Sequence, residues 1–328
     1  MLVLAGDVGG TKTHLALFDM ERPGALPPPR DQTRFPSQDA PGLADLVAAF
    51  LKRTGAAPQA ACFGVAGPVV RGKVHTVNLP WDVETAQMKS ALGFDKVAVL
   101  NDLEATAYGV GHLGPSQLRT LQPGEPDPER NAAVIAAGTG LGESLLVRAA
   151  GRAIAVATEG GHTDFAPIDD EQIALLRDLR EKEGRVSYER IVAGPGIARV
   201  YEHLRRASGE PETAEVTRRL SEASDRSAAI SALALEGSDP VAVKTLRLFA
   251  RVYGSEAGNL ALRSLSFAGL FIAGGIAPKV LPFLEDASFL EAFRAKGRLA
   301  DLMKRFPVHV VLEESCALLG AAAYGGTL

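Results

Sequence analysis

The sequence predicts an α/β chain of two domains, each built on a mostly parallel sheet. Its 328 residues exceed the size at which one hydrophobic core keeps growing. Short apolar runs end in glycine turns at residues 2–10, 132–142 and 270–275, and segments of helical period lie between them. The unit at 132–147, strand then glycine turn then strand, repeats the opening of the chain and marks an internal duplication.

The opening stretch organises the rest. An apolar run climbs to Asp7, Gly9 and Gly10 turn the chain, and residues 13–18 run on extended, which predicts a β-hairpin. Glycines in such a turn let backbone amides approach an anion, since no Cβ stands in the way. A carboxylate at the strand end, Asp7, suits a hydrated Mg²⁺. An ordinary hairpin with a glycine turn reads the same way, so this stretch alone leaves both open.

Composition excludes several classes. The net charge is −4 without basic blocks, which argues against a nucleic-acid surface. No apolar run reaches transmembrane length and no basic leader precedes the first strand, so no membrane partner and a cytoplasmic location are expected. Cys62 and Cys316 are too few for a structural zinc site and suggest no disulfide framework.

Along the chain, residues 22–29 form a proline-rich loop and residues 41–52 an amphipathic helix. Residues 60–66 form a buried strand ending in Gly67-Pro68, a turn open to a ligand role. In Asn78-Leu79-Pro80-Trp81, the only tryptophan serves as a packing wedge. A strand at 96–100 leads into Asn101-Asp102 and a helix over 103–110. Asp102 reads either as the N-cap of that helix or as a carboxylate exposed at the carboxyl edge of a sheet, where α/β enzymes place their chemistry. Residues 114–130 are polar and proline-rich and read as a boundary.

The second glycine turn is Gly138-Thr139-Gly140-Leu141-Gly142. After a strand at 153–157 come Glu159 and His162, flanking a glycine pair so that both side chains can face one small polar ligand. A lone histidine also reads as a structural one. Residues 169–182 are helical, and Ser187 reads as the N-cap of another helix over 187–192. Glu189 in it serves either the helix dipole or a ligand. Gly194-Pro195-Gly196 breaks that helix and starts the next, and a long helix spans about 240–265. The strand at 270–273 ends in Gly274-Gly275, where a nucleotide's base and ribose could rest on bare backbone. A last strand over 308–312 and a small-residue helix over 315–324 close the chain.

Taken in order, these pieces resemble the bacterial glucokinases of the hexokinase-like, actin-related ATPase superfamily. The resemblance rests on Gly6-Asp7-Val8-Gly9-Gly10-Thr11, Asn101-Asp102, Gly138-Thr139-Gly140-Leu141-Gly142 and Glu159-Gly160-Gly161-His162-Thr163-Asp164-Phe165, and continues in Ser187-Tyr188-Glu189-Arg190, Gly194-Pro195-Gly196 and Ala273-Gly274-Gly275-Ile276. It implies an actin-like (ribonuclease H-like) fold with a deep interdomain cleft. A small domain over 1–113 would be completed by the C-terminal helix at 313–328, and a larger one would span 114–312. It also implies a homodimer.

By the same resemblance, glucose lies against Asn101, Asp102, Glu159, His162 and Glu189. ATP with Mg²⁺ lies against Asp7, Gly9, Gly10, Thr11, Gly138, Thr139, Gly140, Gly274 and Gly275, with Asp7 facing the metal. Asp102 would accept the proton of the sugar 6-hydroxyl as it attacks the γ-phosphorus. Aspartate is a weak base, which suffices when the transition state is loose and the proton leaves late. A neighbouring group of sugar kinases and sugar-responsive repressors carries a zinc-binding cysteine cluster after its glutamate-histidine loop. No cysteine lies between Cys62 and Cys316 here, so zinc is not expected. A kinase for another hexose or an amino sugar is the rival function; a sugar-sensing regulator would need a DNA-binding segment.

Overall fold

The computed structural model describes residues 1–20, 26–76, 79–209 and 211–328. Residues 22–25 of the proline-rich loop expected over 22–29, and Asn78 before the tryptophan, lie outside the described residues. The chain divides into two units. The first comprises Met1–Leu118, Ser144–Ala157 and Glu313–Leu328; the second comprises Arg119–Glu143 and Thr158–Leu312.

In the first unit, β1 (Leu2–Val8) and β2 (Lys12–Asp19) form the expected antiparallel hairpin, and β3 (Asp31–Pro36) extends it. β4 (Ala60–Val65) follows. Three two-residue strands, β5 (Val69–Val70), β6 (Lys73–Val74) and β7 (Val83–Glu84), make a small sheet of their own, and β8 (Val97–Asn101) completes the main one. The main sheet runs β3-β2-β1-β4-β8, with β1, β4 and β8 parallel. β4 is buried throughout, because a parallel strand covered on both faces reads as a continuous apolar run. Side chains alternate between two cores. Leu4, Phe63 and Val65 join Phe50 and Trp81 on one face, and Ala5, Cys62 and Phe18 lie on the other. The tryptophan does pack as a wedge.

Three helices belong to this stretch: α1 (Leu43–Thr54), α2 (Thr85–Leu92) and α3 (Asp102–Val110). α1 stops where Gly55 takes the left-handed conformation that ends a helix without steric cost. β3 has no apolar run, since it is a half-exposed edge strand, and no strand was expected there.

β9 (Leu118–Gln122) occupies part of the segment expected to be a boundary loop. β10 (Ala132–Ala137), β11 (Leu141–Ala149) and β12 (Arg152–Thr158) follow. Side-chain caps start α4 (Asp170–Glu183, capped by Asp169), α6 (Ala214–Glu222, by Thr213), α7 (Arg226–Glu236, by Asp225) and α8 (Pro240–Ser264, by Asp239). α5 (Gly194–Ser208) has no such cap and opens with proline in its first turn. β13 (Gly269–Ala273), α9 (Leu281–Glu285), α10 (Ala287–Arg294), α11 (Ala300–Met303) and β14 (Val308–Val311) complete the unit. Its strands lie in the order β10-β13-β14-β9, and β10, β13 and β14 are parallel. The buried phenol of Tyr253 on α8 accepts from the Ala137 amide at 3.2 Å and donates to the Ile135 carbonyl at 3.3 Å. It clamps the end of β10 just before the glycine turn.

The chain then returns to the first unit with α12 (Cys316–Gly325), which lies against α3. The approach is closer than any side chain would permit. A Cβ on Gly320 would stand 1.7 Å from the Ala105 carbonyl oxygen, and one on Gly109 would stand 2.1 Å from that of Cys316. Backbone of a partner helix cannot swing away as a flexible side chain does. Gly320→Ala should therefore cost about 1–3 kcal/mol or more, as overpacking of a tight core does. The urea midpoint should fall accordingly; an unchanged midpoint would show that α12 is not held at this distance.

Candidate active site

Register in the first unit gathers two predicted carboxylates. Asp7 is level with Gly64 on β4, and Asn101 is level with Val65. Asp7 and Asn101 thus stand at the carboxyl ends of parallel strands, and Asp102 follows as the first residue of α3.

The cap of α3 is Asn101, not Asp102. The Asn101 side-chain oxygen accepts from the Leu103 amide at 2.9 Å and the Glu104 amide at 3.4 Å. The Glu104 carboxylate accepts the Asn101 amide at 2.9 Å, which completes a capping box. Asn101 Nδ2 donates to the carbonyl of Gly67 at 2.9 Å, so the Gly67-Pro68 turn braces the cap. Asp102 Oδ1 accepts the Leu103 amide at 2.9 Å.

Asp7 is half-buried, and its carboxyl is pushed up to about 6 by loss of hydration first and by the nearby Asp102 charge second, with Arg34 working the other way. The turn beyond it is held from the end of β3. Ser37 Oγ donates to the Gly9 carbonyl at 2.8 Å and meets Thr13 Oγ1 at 2.9 Å, and the Ser37 amide donates to the Thr11 carbonyl at 2.9 Å. Gly10 accepts from Gln38 Nε2 at 3.4 Å, and Thr11 is exposed. A single serine after an edge strand has no pattern, and sequence reasoning missed it.

In the second unit, Ala136 on β10 is level with Ala273 on β13, so Gly138-Thr139-Gly140 and Gly274-Gly275 leave the sheet at one end. The turns adjoin: a Cβ on Gly274, whose φ is +85°, would lie 2.4 Å from the Ala137 carbonyl oxygen. The Gly138 amide donates to the Gly140 carbonyl, and the Gly138 carbonyl accepts the Gly194 amide at the start of α5, both at 2.8 Å. Thr139 is exposed.

The structure brings Glu159, His162 and Glu189 together. Glu159 Oε2 lies 3.8 Å from His162 Nε2, and Glu189 Oε1 lies 3.9 Å from His162 Nδ1. The other oxygen of Glu189 accepts the Leu141 amide at 3.0 Å and lies directly against Gly140, so this carboxylate joins the histidine to the glycine turn. The helix expected over 187–192 is instead a single 3-10 turn, Tyr188–Arg190, and Ser187 does not cap it through its side chain. The turn is braced by Arg190, which pairs with Glu183 at 2.8 Å, and Glu183 also binds Arg199 at 2.6 Å. Asp164, in the histidine's loop, pairs with Arg185 at 2.7 Å.

Among the described residues, no three His, Cys, Asp or Glu side chains converge as a cage for a metal ion. Asp7 beside Asp102 offers hard oxygen donors of the kind that bind a hydrated divalent cation through one or two carboxylates. Among the described residues no helix is long and apolar enough to cross a membrane.

A model of the glucokinase family matches residues 4–327. A glucokinase of a Nostoc species is 40% identical over 335 aligned residues, which cover 98% of this chain and 98% of that one. The crystal structure of a glucokinase from an Antarctic psychrotroph is similar with a TM-score of 0.88 at 33% identity, covering 100% of this chain and 99% of that one. The fold is shared also with a ROK family glucokinase from Streptomyces griseus, crystallised with glucose and AMPPNP, at a TM-score of 0.66 and 24% identity over 100% of both chains.

The Asp7 environment has a measurable consequence. A carboxyl lifted from 3.8 to about 6 binds its proton more tightly in the folded chain than in the unfolded one. Stability should therefore decline as pH rises from about 4 through about 6 and level off above, by on the order of 2–3 kcal/mol. Asp7→Asn should lack this slope, so the variant should gain on the wild type over that window in urea titrations. Parallel curves would mean that Asp7 ionises normally.

Proposed function

The chain belongs to the glucokinase family, and from that premise we propose that it transfers the γ-phosphoryl group of ATP to the 6-hydroxyl of glucose. The observation that carries the reaction is the position of Asp102: at the carboxyl end of parallel strands, on the first residue of α3, near the half-buried Asp7. In this reading Asp102 accepts the proton of the attacking hydroxyl, and the Leu103 amide on Oδ1 fixes its orientation. Asn101 holds the helix start in place and contributes to the sugar side.

Glu159, His162 and Glu189 bind the remaining hydroxyls. Their mutual spacing of just under 4 Å fits groups that share one small polyol rather than satisfy one another. Leaving such a group unpaired on the wrong stereoisomer costs about 1–3 kcal/mol, which is how a polar pocket selects a sugar. Backbone of the turns at Gly9, Gly10 and Thr11, at Gly138, Thr139 and Gly140, and at Gly274 and Gly275 receives the nucleotide and its phosphates. Asp7 would hold Mg²⁺, whose charge, when bound, neutralises the phosphate oxygens. Its placement near a second carboxyl fits that group, because Asp7 is lifted first by loss of hydration and then by the Asp102 charge, and a cation there offsets both.

The reading extends to the actin-like, ribonuclease H-like fold. Support comes from the run of β1, β2 and β3 followed by parallel β4 and β8, and from the chain-order repeat of three strands at β10, β11 and β12 before β13 and β14. A homodimer and cytoplasmic residence belong to the same proposal. A kinase for another hexose is the second reading, and a coupled assay across hexoses with ATP separates the two.

Asp102→Ala, or the isosteric Asp102→Asn, should lose at least about 10²–10⁴-fold in kcat, with glucose binding less affected. A variant retaining a tenth of the wild-type kcat would remove Asp102 from the role of base. A sugar held by these residues would also exclude water that could otherwise attack ATP. ATP hydrolysis without sugar should therefore be orders of magnitude slower than glucose phosphorylation, and brisk sugar-independent hydrolysis would favour a plain ATPase.

A further inference from the structure

Beneath the two turns that carry Glu159, His162 and Glu189 lies a buried acid pair that the proposed reaction does not use. Glu143 on β11 and Glu256 in the middle of α8 are each 1% exposed. Glu143 seats the first turn. A Cβ on Gly160 would lie 2.0 Å from Glu143 Oε2, so only glycine admits the acid at this point. The Glu143 carbonyl accepts Thr158 Oγ1 at 3.0 Å, and that hydroxyl accepts the Gly160 amide at 3.2 Å. Both main chain and side chain of Glu143 therefore define where Gly160 and, two residues on, His162 can lie.

Glu256 seats the second turn. Its carboxyl lies near the phenol of Tyr188, the residue before Glu189, and after burial its charge helps raise that phenol. Asn259 Nδ2 bridges the two, donating to Glu256 Oε2 at 2.8 Å and to Tyr188 Oη at 3.1 Å. Asn259 is itself held by Lys296, whose ammonium donates to Asn259 Oδ1 at 2.7 Å and to the Ser255 carbonyl at 2.9 Å.

Two cations attend the pair, but only one of them reaches Glu143. Arg263 on α8 donates to Glu256 and stands 3.8 Å from Glu143 Oε2, and it is half-exposed. Lys296 faces Glu256, the phenol of Tyr188 lies on the far side of Glu256, and the phenol of Tyr253 feels Glu143. Among the described residues Glu143 Oε1 has no hydrogen-bond partner, and an ionised oxygen left so is costly in a dry interior. Burial, and then the neighbouring Glu256, lift the Glu143 carboxyl to about 8.

We propose that Glu143 stands as a neutral acid and is a positioning residue for sugar binding, hydrogen-bonded with Glu256 so that the turns bearing His162 and Glu189 share one buried support. The proposal rests on the reading of those residues as ligands of the sugar hydroxyls. Loss of the proton from Glu143 places a second negative charge against Glu256 and directly under Gly160, with Arg263 alone between them. The first turn is then displaced and the sugar contacts are lost.

Two comparisons test it. Wild-type KM for glucose should rise at least fivefold from pH 7 to pH 9.5 while KM for ATP stays within twofold. Glu143→Gln, neutral and of the same shape, should keep KM for glucose within threefold of wild type at pH 7 and hold it flat over that range. Glu143→Ala should raise it tenfold or more. In the absence of any sugar, hydrogen exchange in peptides covering residues 158–163 and 186–192 should quicken in Glu143→Ala and not in Glu143→Gln. Equal damage in the two variants, or one pH profile shared by wild type and Glu143→Gln, would overturn the proposal. If His162→Ala and Glu189→Gln leave KM for glucose unchanged, the ligand reading fails instead, and the sugar-free exchange still judges Glu143 by itself.

Discussion

Two nearby carboxyls repel one another unless a positive charge or a proton lies with them, and each unit of this chain contains such a pair. In the first unit it is Asp7 beside Asp102. In the second it is Glu143 beside Glu256. The surroundings differ in kind. Asp7 lies at a strand end, and in the proposed reading it and the nearby Asp102 face a cation that is not part of the protein. Glu143 lies beneath a turn, with a guanidinium at 3.8 Å and no further donor for its second oxygen among the described residues, so in the proposal the shortfall is met by a proton.

Both depend on how closely backbone can approach. Register alone brings Asp7 level with β4 and Asn101 to the end of β8, but the first turn of α3 must then start without delay, and the capping box of Asn101 and Glu104 makes it do so. Glycines at 109 and 320 allow α12 to press on that same helix. In the second unit, glycine at 160 allows a carboxyl to touch main chain. Glycine therefore acts at these sites by the absence of a side chain, and only secondarily by its freedom of rotation.

The parallel strands, the paired glycine turns, the opening hairpin and the long α8 were legible in the sequence, because each is a local pattern of apolar period and turn chemistry. The pairing of Glu159 with His162 was legible from their spacing about a glycine pair, but that Glu189 joins them was legible only through the resemblance, since residues 159 and 189 are joined by tertiary contact rather than by spacing. The half-exposed β3 and the β9 within a proline-rich segment were not legible: an edge strand needs no apolar run, and its backbone is held by a neighbour the sequence does not name. In the sequence Asp102 reads either as a cap or as an exposed carboxylate, because aspartate and asparagine are equally good caps. What decides between adjacent ones is which side chain reaches the Glu104 amide, a geometric fact. Glu143 went unremarked for a similar reason. On an alternating strand a glutamate usually faces water, and only the packing of α8 beneath it makes this one an interior residue.

The bracing of the proposed sugar ligands follows from what a stereoselective pocket demands. A carboxylate discriminates between hydroxyl orientations only if it cannot follow the hydroxyl when it moves. Short 3-10 turns are poor platforms by themselves, having few hydrogen bonds of their own. Here they are supplied from outside. Glu189 is tied to the Leu141 amide, Tyr188 to Asn259 and Glu256, Arg190 to Glu183, and Gly160 to Thr158 and Glu143. Nearly every one of these ties ends on a regular strand or helix of the same unit, so the rigidity of the sheet and of α4 and α8 is transmitted to side chains that themselves sit on turns. That arrangement leaves Glu159 and His162 open to a substrate while Glu143 and Glu256 beneath them stay buried, which is the combination that selection among sugars requires.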